Sequence, residues 1–99
     1  MSHEQIDVPR GWGPLVGRLI EELQVLGAPA ITQAKQKFGK LRVYFAGELS
    51  PQAQDAVVRA VKLSEATCEE CGGAGTLKRR HAIRVLCDTC SDNVPARQP

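Results

Sequence analysis

Four cysteines stand in two close pairs, Cys68-Glu69-Glu70-Cys71 and Cys87-Asp88-Thr89-Cys90, which together make Cys-x2-Cys-x15-Cys-x2-Cys. A gap of two residues lets both sulfurs of a pair turn toward one ion, and two such pairs fill the four tetrahedral corners that zinc takes at about 2.3 Å. Gly72 suits the sharp reversal after the first pair, an advantage that Ser91 does not give the second. Between the pairs, Gly72-Gly73-Ala74-Gly75 reads as a flexible turn and Ile83-Arg84-Val85-Leu86 as a strand that delivers Cys87. The expectation is a zinc-ribbon-like unit over residues 68–90, holding one structural zinc ion through Cys68, Cys71, Cys87 and Cys90. Two disulfides are the competing use of four cysteines. The opening Met1-Ser2-His3-Glu4-Gln5 is polar and partly acidic, unlike a secretion signal, which points to a reducing cytoplasmic compartment and to thiols. Four thiolates close the coordination sphere, so the metal is expected to be structural rather than catalytic.

No other residues suggest a reaction. The chain has two histidines, of which His81 lies in a basic loop and reads as solvated, and no nucleophile stands beside a base. Neither an enzyme nor a small-molecule substrate is expected. Gly72 to Gly75 lacks the lysine-serine or lysine-threonine that would follow in a phosphate loop. Two segments are basic while residues 1–30 are acidic on balance: Lys35, Lys37, Lys40 and Arg42 beside Tyr44, and Lys78, Arg79, Arg80 and Arg84. These are the candidate macromolecule-binding residues, although a run of charge is also what a solvated face looks like. The formal net charge of +2 would fall to zero with four thiolates on one divalent ion, so bulk attraction to nucleic acid is not expected.

The elements that must position these residues can be read from periodicity. With 99 residues, 42% hydrophobic and 24% charged, the chain has material for one core, and no apolar run nears the ~20 residues that span a bilayer. Residues 1–11 read as a loose lead-in and 91–99 as a flexible tail. Proline at position 14 opens a helix over 14–26, with Leu15, Val16, Leu19, Ile20, Leu23 and Leu26 on one face and Trp12 near its start. Residues 30–46 suggest a hairpin turning at Gly39-Lys40, which would pair Phe38 with Leu41, Gln36 with Val43 and Ala34 with Phe45 on an apolar face. Lys37 with Arg42 and Lys35 with Tyr44 would then form a basic one. Ser50-Pro51 reads as a cap and first residue of a second helix that runs to about Thr67, with a stripe of small residues through Ala53, Ala56 and Ala60. The fold class is therefore α+β: a helix, β-hairpin, helix body over 12–67 followed by the ribbon at 68–90.

Trp12 and Pro14 with the leucine-rich helix, Ile31-Thr32-Gln33 leading to Lys37-Phe38-Gly39-Lys40-Leu41-Arg42-Val43-Tyr44, and then Cys68-Glu69-Glu70-Cys71-Gly72 and Leu86-Cys87-Asp88 resemble a group of small uncharacterised proteins from phages, prophages and bacteria. The resemblance covers most of residues 12–90 and implies an α+β body with a zinc-binding end; some of those sequences carry histidine at the place of Cys90, a swap zinc tolerates. Together with the lack of catalytic residues it favours a phage or prophage accessory protein that docks on a host or defence-system protein; the alternative, binding of DNA or RNA, rests on the two basic segments. The metal segment alone is similar to the DksA/TraR-type zinc finger of RNA-polymerase regulators and to HNH-type nucleases. The residues that the former carry between their cysteine pairs, and the Asp-His, Asn and His that bind the nucleases' catalytic metal, are missing here.

Overall fold

The computed structural model describes residues 5–79 and 82–93. In chain order these form β1 (Gln5–Asp7), a 3-10 turn (Arg10–Trp12), α1 (Gly13–Val25), β2 (Ile31–Lys37), β3 (Lys40–Phe45), α2 (Pro51–Ser64), β4 (Thr76–Arg79), β5 (Ile83–Leu86) and α3 (Asp88–Asn93). The fold is α+β, as the sequence predicts, with one three-stranded sheet in the order β1-β2-β3 and one two-stranded sheet of β4 and β5.

Both long helices bury one stripe. In α1 it is Leu15, Val16, Leu19 and Leu23, and in α2 Ala53, Ala56, Ala60 and Ser64, whose small side chains let the helix lie close to the sheet. Ser50 caps α2, its hydroxyl accepting the Ala53 N–H at 3.2 Å, and Pro51 takes the first helical position where no donor is lost. The helix stops at Ser64, short of Thr67, because the Ser64 hydroxyl donates to Val61 O at 2.6 Å and accepts the Leu41 N–H at 3.1 Å, which ties its last turn to β3.

The hairpin turns one residue earlier than the sequence reading. Lys37 faces Lys40, Gln36 faces Leu41, Lys35 faces Arg42, Ala34 faces Val43 and Gln33 faces Tyr44, so Phe38 and Gly39 are the turn, both with positive φ (56° and 79°). That is the signature of a type I′ turn, whose twist matches that of the strands it joins. The change alters every pair but no face, since partners slide by two residues and side chains alternate with period two. Leu41 and Val43 therefore still look to the core with Ala34, while Phe38 leaves the apolar face and is 67% exposed. A bulge between Ile31 and Gln33 allows Ile31, three residues from Ala34, to enter the same core.

Of the lead-in expected at 1–11, residues 1–4 lie outside the described residues, and residues 5–11 are built into the fold. β1 pairs in parallel with β2, Gln5 to Gln33, Ile6 to Ala34 and Asp7 to Lys35, and makes β2 the central strand. The body and the ribbon also share one core. Val85 of β5 is fully buried in the cluster that contains Trp12, Leu19, Ala34 and Leu41. Gln36, on the inner face of β2, is covered by the ribbon rather than by a helix, its amide donating to Ile83 O at 3.0 Å. Burial of a side chain such as Leu19 or Val85 is worth about 1.5–3 kcal/mol, so the ribbon adds to the stability of the body it covers.

Candidate metal centre

Cys68 follows the turn that ends α2, Cys71 closes the first loop, Cys87 leaves β5 and Cys90 lies on α3. The strand predicted at 83–86 is present and delivers Cys87; the short helix that carries Cys90 has no apolar side chain on which periodicity could have shown it. The four sulfurs lie within 4.8 Å of one another, and Cys71 Sγ and Cys87 Sγ are 3.8 Å apart. A tetrahedron with metal–sulfur bonds near 2.3 Å has edges of about 3.8 Å, so the cluster has the dimensions to hold a metal ion. None of the four sulfurs is in a disulfide.

Backbone amides point at these sulfurs. Cys68 Sγ accepts N–H groups of Glu70 (3.4 Å) and Cys71 (3.5 Å), Cys71 Sγ that of Gly73 (3.4 Å), and Cys87 Sγ that of Cys90 (3.3 Å). Donors aimed at sulfur favour the thiolate, the form that binds metal. At Cys68, burial pushes the thiol up, but the N–H groups directed at it from Cys71, Cys87 and Glu70 outweigh burial and bring it down to about 6. Cys90 goes the other way, to about 12, held protonated by its hydrogen bond to Cys87, by burial and by the charge on Cys68. The N–H donors and the neighbouring thiols thus pull two sulfurs of one cluster in opposite directions, Cys68 toward the thiolate and Cys90 toward the thiol.

Sequence reasoning missed Glu69. It lies between two cysteines and reads as solvated, yet it is only 2% exposed. Its Oε2 accepts the Val85 N–H at 2.6 Å and the Gln36 amide at 3.0 Å, and its Oε1 faces Arg84 Nε at 3.3 Å. Its own N–H donates to Val85 O (2.7 Å) and its carbonyl accepts Gly11 N–H (2.8 Å). The first cysteine loop is thereby fixed to β2, β5 and the 3-10 turn at once. The signal, visible only with hindsight, is an arginine preceding the buried Val85 in the strand that returns past the loop. Glu70 sits outside, its carboxyl held below its ordinary range by the hydrogen bond from Arg84 at 2.6 Å and by Arg10 at 3.3 Å.

Gly11 shows how tightly the chain closes over the loop: a Cβ there would lie 2.2 Å from Cys68 O, which no side chain could relieve. Gly72 makes the predicted reversal after Cys71 with φ +81°. Trp12, fully buried, donates its indole N–H to Thr67 O at 2.9 Å.

The candidate binding residues divide. Arg84 is held by Glu69 and Glu70, Lys78 by Asp88 at 2.9 Å and Lys40 by Glu65 at 3.1 Å. Arg79 is exposed at the end of β4, and Arg80, like His81, lies outside the described residues. Lys35, Lys37, Arg42 and Tyr44 come together on the outer face of the three-stranded sheet, opposite the helices. The like-charge pairs on it are Lys35 with Arg42 and Lys37 with Lys40, where the sequence suggested Lys37 with Arg42. A cleft of about 750 Å³ opens between β1, β2 and the ribbon, bordered by Asp7, Arg10, Lys35, Glu70 and Arg84. No helix among the described residues is long and apolar enough to cross a membrane. Compared with protein-family models, curated proteins and solved structures, the chain matches none.

Proposed function

We propose that this chain is a zinc-stabilised interaction module without catalytic activity of its own, which docks on an anionic macromolecular partner through the outer face of its three-stranded sheet. Cys68, Cys71, Cys87 and Cys90 would hold the ion, and zinc suits them because four thiolates in a tetrahedron are a preferred zinc environment that leaves no position for a reacting water. In this reading the ion is a cross-link. It fastens the ribbon under the hairpin and so keeps the sheet in place, in a reducing compartment where the thiols stay free.

The observation that carries the docking half is the cluster of Lys35, Lys37 and Arg42, with Lys35 directly opposite Arg42, on a face that no described element covers. Like charges directly opposite each other destabilise a sheet; Asp7, across from Lys35 on β1, offsets one of these three cations and leaves the cluster positive on balance, the sign an anionic partner would meet.

Elemental analysis of the purified chain is expected to give one zinc per chain; a folded, metal-free chain with two disulfides would overturn the zinc assignment. The double variant Lys35→Glu/Arg42→Glu is expected to keep its zinc and its melting temperature while losing whatever co-purifies with the wild type. Retention of that partner by the variant would remove the sheet face from the interaction.

A further inference from the structure

The outer sheet face carries more than charge. We infer that its partner is a single-stranded nucleic acid, with Tyr44 stacking on a base and Lys35, Lys37 and Arg42 on the flanking phosphates; this rests on the reading above that the face is the docking surface.

Protein–protein interfaces are poor in lysine and owe their affinity to a few desolvated aromatic or apolar anchors. This face is rich in lysine instead. Its rows are Gln5, Gln33 and Tyr44, then Asp7, Lys35 and Arg42, then Lys37 and Lys40, with Asp7 the one acid among the described residues that share it. The sheet's apolar side chains, Ala34, Leu41 and Val43, belong to the opposite face. Lysine and arginine beside polar amides are what contacts to phosphate and sugar employ.

The aromatic rings turn this from a general attraction to anions into something more specific. Tyr44 is 45% exposed, and Lys35 Nζ stands 5.8 Å from its ring centroid. Phe38 is 67% exposed, with Lys37 Nζ at 5.7 Å. Each exposed ring thus has a lysine over one face, so that a base stacking on the other face, or displacing the ammonium, would leave that lysine within reach of a neighbouring phosphate. The position of Phe38 is itself telling. A type I′ turn calls for Asn, Asp or Gly at a residue with φ of 56°, and a phenyl ring there is not what turn chemistry selects. Tyr44 and the Lys37–Lys40 row lie about 13 Å apart along the strands, room for successive nucleotides between the two rings.

The width of the face argues against a duplex. A major groove admits a helix or a two-stranded ribbon, whereas here β2 is flanked on both sides. Bases that stack on an open sheet must also be unpaired.

The test is fluorescence anisotropy of labelled oligonucleotides of about 12 nucleotides, single-stranded DNA, single-stranded RNA and the matching DNA duplex, with the zinc-loaded full chain across a salt series. Single strands are expected to bind more tightly than duplex, with a logarithmic salt slope near −2 for three contacts at about −0.7 each. Tyr44→Ala should weaken binding roughly 5- to 150-fold, the range of one lost stack, and Tyr44→Phe should restore it because the ring alone stacks. Unchanged zinc content and melting temperature would show that both variants fold. The inference is overturned by any of three results: no binding tighter than about 10⁻⁴ M at physiological salt, duplex bound as tightly as single strands, or Tyr44→Ala without effect. If no oligonucleotide binds but Lys35→Glu/Arg42→Glu loses a protein that the wild type retains, docking through this face stands and the nucleic-acid assignment falls. If the charge reversal changes nothing either, both fall.

Discussion

Cys68 and Cys71 sit on a loop that the molecule grips from several sides, whereas Cys87 and Cys90 sit at the seam of a strand and a six-residue helix, joined by one N–H to sulfur bond. The first loop is anchored through Glu69 to Gln36, Val85 and Arg84, through its backbone to Gly11, and through the preceding Thr67 carbonyl to the Trp12 indole. The second has the Lys78–Asp88 ion pair at its rim, where Asp88 is 93% exposed. One half of the cluster is held by contacts from several distant elements of the fold, and the other by few.

Ligand exchange should expose this asymmetry most strongly. Cys68→Ser is expected to abolish metal binding and to leave amides of the ribbon unprotected in hydrogen exchange, a loss of several kcal/mol of coupled binding and folding free energy. Cys90→Ser, the same change in the less anchored half, should weaken metal binding less and leave the ribbon amides protected. Equal losses from the two substitutions, measured by competition with a chelator, would show that the halves do not differ.

Removing the anchor while leaving the sulfurs in place comes next. Glu69→Ala strands the Val85 N–H, the Gln36 amide and one side of Arg84, and should cost about 3–5 kcal/mol, the range for breaking a buried ion pair from one side. Glu69→Gln, which keeps an acceptor for Val85, should cost less. Urea denaturation of the metal-loaded chain measures both, and a cost under 1 kcal/mol for the alanine variant would mean that the loop is held by the metal after all.

The far end of the body supplies the contrast. Ser50→Ala removes the α2 cap and should cost about 1 kcal/mol with metal content unchanged. Smaller still is the bridge between the helices, where Arg59 faces both oxygens of Glu22 at 2.6 and 3.3 Å and its hydrogen bond lowers the Glu22 carboxyl. A carboxyl whose folded value lies below its ordinary 4.5 contributes stability above that pH and loses it as pH falls through the folded value. The pH-dependent part of the Arg59→Ala cost should therefore be present at pH 7 and vanish in acid. A difference that grows on acidification would reverse the sign.

Much of the metal centre was legible because two short gaps between cysteines suffice to specify it, and both long helices announced themselves through apolar spacing and proline at position 14 or 51. The hairpin register was not. Sliding the turn from Gly39-Lys40 to Phe38-Gly39 leaves the same residues on the same faces, so the apolar pattern cannot choose between the two. β1 is three exposed residues with no periodicity, and only its pairing with β2 defines it. Glu69 was invisible for a different reason. A charged residue is buried when partners converge on it from distant parts of the chain, and Gln36, Arg84 and Val85 are adjacent to it only after folding. The same holds for Lys40, Lys78 and Arg84, whose acidic partners removed them from the basic surfaces the sequence suggested.

The chain has one tryptophan, and the fold has placed it where the metal loop begins. Trp12 is sealed from water, and its only polar atom is bonded to the carbonyl of the residue before Cys68. Release of that loop would let solvent reach the ring and shift its emission to longer wavelength, while the remote helix contacts went unrecorded. The molecule therefore carries an optical gauge, readable without a label, of whether its first cysteine loop is in place.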